Sequence, residues 1–350
     1  MSTYINSFPG REIIVERKKF LYFGGTAYFG MQTDSEFQNI FIENIKKYGT
    51  GYGASRKSNV QLSVYRKAES YLSKWVGSED CLTLSSGYLA GQLLCSLFSG
   101  KEYQLFYTPN SHSALYQSNI KPYITYSALN IALQDYLSSN EEGIPVILLD
   151  SIDFSGYNYP KFQGLMSLPL NKCIVVADDS HGIGLIGTGN SGVFEILLNL
   201  KPKELLICCS LGKALGIDAG AIFGTLDWLK KAKKTDFYAG ASPASPASMA
   251  SLIEAEEIYK SKKRILDHNM SFFLNQINYS KKFSFINGFP VFGYYEPELT
   301  KFLYNSGIIV TDFNYPTEEA SLKSRIVLTA SHTEKDIIKI TALINSFYAK

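Results

Sequence analysis

Five short apolar runs, separated by segments of helical pattern, constrain this chain more than any other feature. Residues 103–108, 144–149, 173–177, 205–209 and 220–224 are each of strand length and apolar at consecutive positions. A strand that is apolar on both faces has to be covered on both, which a mostly parallel sheet flanked by helices provides. Residues 37–47 and 60–75 carry apolar side chains at helical spacing, and 248–259 predicts a longer helix leading out of this region. From about Leu266 the pattern changes: 283–286, 291–295 and 307–311 predict strands, while 297–306 and 334–347 predict helices. The expected organisation is an N-terminal arm (1–35), a large α/β domain with a mostly parallel central sheet (36–262) and a small C-terminal α+β domain (263–350).

Bulk properties remove several function classes. The 350 residues are 45% hydrophobic and carry a net charge of only +2, so a large core is affordable but a nucleic-acid footprint is missing. The cluster Lys230, Lys231, Lys233 and Lys234 reads as a solvated helix face. Cysteines at 81, 95, 173, 208 and 209 form no CxxC pair, and four of the five lie in apolar runs. Buried free thiols in a reducing cytoplasm are expected, with no disulfides and no metal site. No basic leader with an apolar run opens the chain and no stretch of about 18 apolar residues occurs, so neither a signal peptide nor a membrane helix is expected.

Two segments carry the chemistry. Ala177-Asp178-Asp179-Ser180-His181-Gly182 directly follows an apolar strand, and ligands of open α/β sheets bind beyond the carboxyl ends of strands. Alone, it reads equally well as an aspartate capping a turn. Ser210-Leu211-Gly212-Lys213-Ala214 also follows a strand, and its lysine has small neighbours. Alone, it reads more readily as a loop lysine; a Ser/Lys pair of the β-lactamase kind lacks its partner motifs. Together they place a carboxylate, a histidine and a lysine at neighbouring strand ends. Pyridoxal 5′-phosphate (PLP) calls for that set: a lysine for the imine and an acid for the pyridine nitrogen. Ser85-Ser86-Gly87-Tyr88, ahead of a helical run, offers the hydroxyls and N–H groups a phosphate needs. It reads equally as a simple helix cap.

The order of these segments resembles the α-oxoamine synthases, PLP enzymes of fold type I, from about Tyr22 to Phe347. Tyr28-Phe29-Gly30, the stretch 48–56 (YGTGYGASR), the stretch 177–187 (ADDSHGIGLIG), the stretch 210–216 (SLGKALG) and 324–333 (SRIVLTASHT) follow in the family's order. The resemblance implies that Lys213 is the Schiff-base lysine and the base for the amino acid's α-carbon. It implies that Asp178 pairs with the pyridine nitrogen, His181 bonds the ring's 3′-oxygen and His112 stacks on the ring. Ser86, Gly87, Tyr88 and Ser210 would hold the phosphate, Arg325 the substrate carboxylate, and Ser242 the phosphate of the other subunit of a homodimer. The implied reaction is condensation of an amino acid with an acyl-CoA, with decarboxylation, to an α-amino ketone. Transamination or aldol cleavage would use the same groups, and a non-catalytic binding module is a further alternative. The chain departs from the family in beginning about a helix late, in Ser111 before His112, in Thr26 before the Tyr28 motif and in Gly91. A serine expected ahead of the Asp178 strand is matched by either Ser151 or Asp153. His268 reads as a surface residue, and His332 as either functional or a shaper of local backbone.

Overall fold

The computed structural model describes residues 4–111, 113–116, 121–139, 142–154, 156–313 and 324–350. The chain forms two compact units. One comprises Ile40–Gly212 and Ile217–Glu254; the other comprises Met1–Asn39, Lys213–Gly216 and Ala255–Lys350.

The second of these units opens with a hairpin, β1 (Glu12–Val15) and β2 (Lys18–Phe23). Glu16 and Arg17 link them at φ 48 and φ 65, in the two-residue geometry that matches strand twist. Ile13, Val15 and Phe20 bury one face of the hairpin.

The larger unit holds a six-stranded sheet. Its strands are β3 (Asp80–Leu84), β4 (Tyr103–Tyr107), β5 (Ile144–Asp150), β6 (Ile174–Asp178), β7 (Glu204–Ser210) and β8 (Gly220–Gly224). They lie in the order β3-β8-β7-β6-β5-β4. The four from β4 to β7 are parallel, while β8 runs antiparallel to both β7 and β3. Two reversals restore direction, so β3 points the same way as β7 and its carboxyl end meets the same edge of the sheet. Leu206, Cys208, Val176, Leu148 and Ile222 share one face and pack beneath the Gly87–Leu97 helix, through its Ala90, Leu93, Leu94 and Cys95. All five cysteines are buried and free.

The chain then returns to the smaller unit. A long helix, Glu256–Gln276, follows a break at Ala255, so the expected single helix over 248–259 is two. Strands β9 (Ser284–Phe285), β10 (Val291–Tyr294) and β12 (Ser324–Val327) form an antiparallel sheet in the order β12-β10-β9. Strand β11 (Ile308–Val310) instead pairs in parallel with β2. The Glu334–Tyr348 helix closes the unit behind a capping box of Thr333 and Asp336. Arg11 reaches the same carboxylate with both Nε (2.6 Å) and Nη2 (2.8 Å). Burial opposes ionisation of Asp336, but the hydrogen bonds from Arg11 and Thr333 outweigh it and bring its pKa down to about 2.

His332 belongs to this scaffold rather than to any solvent-facing site. Its Nδ1 accepts the Thr329 N–H at 3.0 Å, its Nε2 lies 3.0 Å from the Tyr22 carbonyl, and its ring stacks on Phe23 at 4.0 Å. That pattern fixes the neutral imidazole with the proton on Nε2, and burial pushes its pKa down to about 4. Between its ordinary 6.5 and about 4, the unfolded chain takes up a proton that the folded chain refuses. Stability is therefore highest above this window and falls as the pH drops through it, by on the order of 3 kcal/mol at the lower end. Urea midpoints at about pH 7 and about pH 4.5 are expected to show the loss, and a His332→Gln variant is expected to lose much less between them. An equal drop in that variant would rule His332 out as the cause.

Candidate active site

Strands β5, β6 and β7 run as apolar cores until their last residues, where the sequence turns polar at Asp150, Asp178 and Ser210. Register pairs Asp150 with Asp178 and Asp178 with Cys208, so Asp178 shares the sheet face that the Gly87–Leu97 helix covers. Its Oδ1 accepts the Ser180 N–H at 2.8 Å. The Ser180 hydroxyl in turn accepts the Ser210 N–H at 2.8 Å, which ties the turn after β6 to the end of β7. Ser210 Oγ accepts the Gly212 N–H at 3.2 Å.

The Gly87–Leu97 helix begins against these residues. Ser86 is its N-cap, accepting the Leu89 N–H at 3.1 Å in an extended conformation. A Cβ on Gly87 would lie 2.6 Å from Ser210 Cβ and 2.7 Å from Ser210 Cα. A Cβ on Gly220 would lie 2.1 Å from the Ser86 carbonyl oxygen. Only glycine at both positions lets the helix start sit directly on the sheet. Tyr88 is exposed, so its backbone N–H is the group it offers here. The Ser85 N–H donates to the Ser242 carbonyl at 3.3 Å, which brings the backbone of Ser242 to this turn within its own chain. Gly91 has a structural reason as well: a Cβ there would meet the Ala114 carbonyl at 2.8 Å.

Lys213 follows Ser210 by three residues, in the excursion between β7 and β8. The excursion is closed at its base by Leu211 N–H to Ala219 O (2.9 Å) and Ile217 N–H to Leu211 O (3.0 Å). The Lys213 side chain is half-buried.

The aspartate after Asp178 is a residue that sequence reasoning passed over. Asp179 is buried; its Oδ1 accepts the Ser151 hydroxyl at 2.5 Å and its Oδ2 the Val193 N–H at 3.0 Å. It locks the turn carrying His181 to Ser151, just past β5, and to Val193, just past the 182–192 loop. The adjacent Asp-Asp pair was the signal: two neighbouring side chains on a strand point to opposite faces, so one can serve a ligand while the other serves the fold. Ser151 is thus committed to Asp179. Asp153 is committed to the turn that follows, accepting the Gly156 N–H (2.9 Å) and the Tyr157 N–H (3.2 Å). His181 meets the edge of Phe154, with ring centroids 4.8 Å apart and planes at 76°.

His112 lies outside the described residues. Arg325 stands in the smaller unit, on β12, where its backbone bonds reciprocally with Thr311 (2.9 and 3.1 Å). Its charge acts on the buried Tyr28 hydroxyl, whose pKa burial nevertheless raises. His268 is exposed and pairs with Glu334 at 2.8 Å.

One sheet edge thus presents a carboxylate, an imidazole, two serine hydroxyls and the free N–H groups of an 11-residue helix start, with a lysine leaving the same strand. The helix start is suited to a phosphate and the carboxylate to a protonated ring nitrogen, while the lysine can supply a carbonyl-reactive amine. The donor set fits a PLP-like ligand.

No protein-family model matches the chain. It is 26% identical, over 98% of its own length and 93% of the relative's, to a protein of Thermodesulfovibrio yellowstonii described as a putative 8-amino-7-oxononanoate synthase. Its fold superposes with a TM-score of 0.82 on a serine palmitoyltransferase variant from S. paucimobilis with a bound PLP–myriocin adduct, at 18% identity, covering 99% of this chain and 91% of that one. It superposes with a TM-score of 0.73 on 8-amino-7-oxononanoate synthase from Francisella tularensis, at 18% identity, covering 94% and 98%.

Proposed function

We propose, from the premise that this chain is a relative of the α-oxoamine synthases with their PLP fold type I architecture, that it holds PLP on Lys213 and joins an α-amino acid to an acyl thioester with loss of carbon dioxide. The observation that carries this reading is the convergence of Asp178, the Ser180–His181 turn, Ser210 and the Ser86–Gly87 helix start at one end of one sheet face.

When bound, PLP supplies a ring that withdraws electrons from the amino acid's α-carbon. The work of the chain is to hold that ring and to move protons. Asp178, whose Oδ1 accepts the Ser180 N–H, would pair with the ring nitrogen and so favour its protonated form. His181 would bond the 3′-oxygen, and His112 would stack on the ring. Ser86, Gly87, Tyr88 and Ser210 take the phosphate through hydroxyls and helix N–H groups. Lys213 would supply the amine that holds the cofactor and would serve as the positioned base for the α-proton. Arg325 receives the substrate carboxylate in a bidentate fork. Acyl-CoA is the proposed thioester, and the proposed active form is a cytoplasmic homodimer in which Ser242 serves the phosphate of the other subunit. Free, buried cysteines support the reducing compartment. Among the described residues no helix is long and apolar enough to cross a membrane.

The test adds PLP to the purified protein and looks for an absorbance band that borohydride removes. The loaded protein then receives glycine, alanine or serine together with an acyl-CoA, while free thiol and carbon dioxide are measured. Release of both, dependent on both substrates, is the expected result and names the amino acid. Transfer of the amino group to a keto acid without thiol release would replace condensation by transamination.

A further inference from the structure

Phe154 is held in a backbone conformation that its side chain disfavours. Its φ is 54°, in the left-handed region that a bulky residue occupies only where its surroundings impose it. The imposing group is Asp153, whose two carboxylate oxygens take the N–H groups of Gly156 and Tyr157. Two residues earlier the same segment is anchored at both ends of Ser151. The Ser151 hydroxyl donates to Asp179, and its N–H donates to the Asp178 carbonyl at 2.9 Å. The strained residue is therefore referenced to the strand end that carries Asp178. Burial is not what is gained, because Phe154 is only half-buried. What the conformation delivers is an aromatic edge against the His181 imidazole, 4.8 Å away and near perpendicular.

We propose that Phe154 is a positioning residue for His181: its ring sets the orientation in which the imidazole meets the ring oxygen of bound PLP. The proposal rests on the PLP reading of the site. Asp153 and Ser151 then act as its supports.

The test is a double-mutant cycle read as PLP affinity of the cofactor-free protein, with an NMR readout that needs no cofactor. Phe154→Leu keeps the volume and loses the aromatic edge, and Phe154→Tyr keeps the edge. Phe154→Leu is expected to weaken PLP binding roughly tenfold, and Phe154→Tyr by no more than about twofold. In a His181→Ala background, Phe154→Leu is expected to have no further effect. In the cofactor-free protein, the His181 ring resonance is expected to shift in the leucine variant and to stay in place in the tyrosine variant. Unchanged affinity in Phe154→Leu, or the same loss with and without His181, would overturn the proposal and leave the PLP reading standing. A wild-type protein that takes up no PLP would overturn both.

Discussion

Lys213→Ala is expected to fold normally and to lose turnover by at least about a thousandfold, because on the proposed reading the variant would lack both the covalent anchor and the α-proton base. Folding is expected to survive because the excursion that carries Lys213 is closed by backbone bonds at Leu211, Ile217 and Ala219, none of which uses the lysine side chain. Three measurements are read together. The urea midpoint is expected to match that of the wild type without cofactor. Borohydride treatment is expected to fix no PLP to the peptide that contains residue 213, and thiol release from acyl-CoA is expected to vanish. PLP fixed to a different lysine, or turnover within tenfold of wild type, would remove Lys213 from the centre of the reaction.

Gly87→Ala is the second large effect, and it tests the cradle rather than the chemistry. The added methyl would stand 2.6 Å from Ser210 Cβ and 2.8 Å from Ser210 N, where ordinary contact needs well over 3 Å. Neither neighbour is the far end of a flexible chain. Ser210 is a strand residue paired with Gly220, and Gly220 itself abuts the Ser86 carbonyl. The helix start must therefore back away from the sheet by roughly an ångström, at a cost of about 1–3 kcal/mol in stability. A phosphate that relied on N–H groups and hydroxyls from both sides would lose its fit, so PLP affinity is expected to fall by about a hundredfold or more. Gly240→Ala is the control: a Cβ there meets nothing within 4 Å, and the variant is expected to stay within about 0.5 kcal/mol of wild type with unchanged PLP uptake. Full PLP affinity in Gly87→Ala would place the phosphate elsewhere.

The buried strands are legible in the sequence because each is mostly apolar at consecutive positions, and Asp178, His181, Ser86 and Lys213 stand out as candidates because polar residues follow those runs abruptly. What composition leaves equal is not legible there. Strand β8 reads as Gly-Ala-Ile-Phe-Gly whether it runs with its neighbours or against them, since both faces are covered either way. The β1–β2 hairpin escaped because Glu16 and Arg17 occupy a turn that usually advertises itself with glycine or asparagine. The break at Ala255 falls between two stretches that both favour helix, so only tertiary packing marks it. Asp179 was overlooked because nothing in its residue type distinguishes it from Asp178; the alternation of faces does. The structure also decides His332, which sequence left between two roles: both ring nitrogens are engaged with backbone groups.

The two sides of the proposed phosphate cradle come from Ser86 and Ser210, residues 124 positions apart, and they meet only because β3 docks against β8. Contacts of such long sequence separation carry the largest loop-closure cost and form late in folding. A nascent or partly refolded chain would have Asp178 and Ser210 at the ends of adjacent parallel strands before it had anywhere to lodge a phosphate. Cofactor capture then becomes a report on completion: PLP selects chains whose edge strand is in place and, by mass action, keeps that strand from fraying.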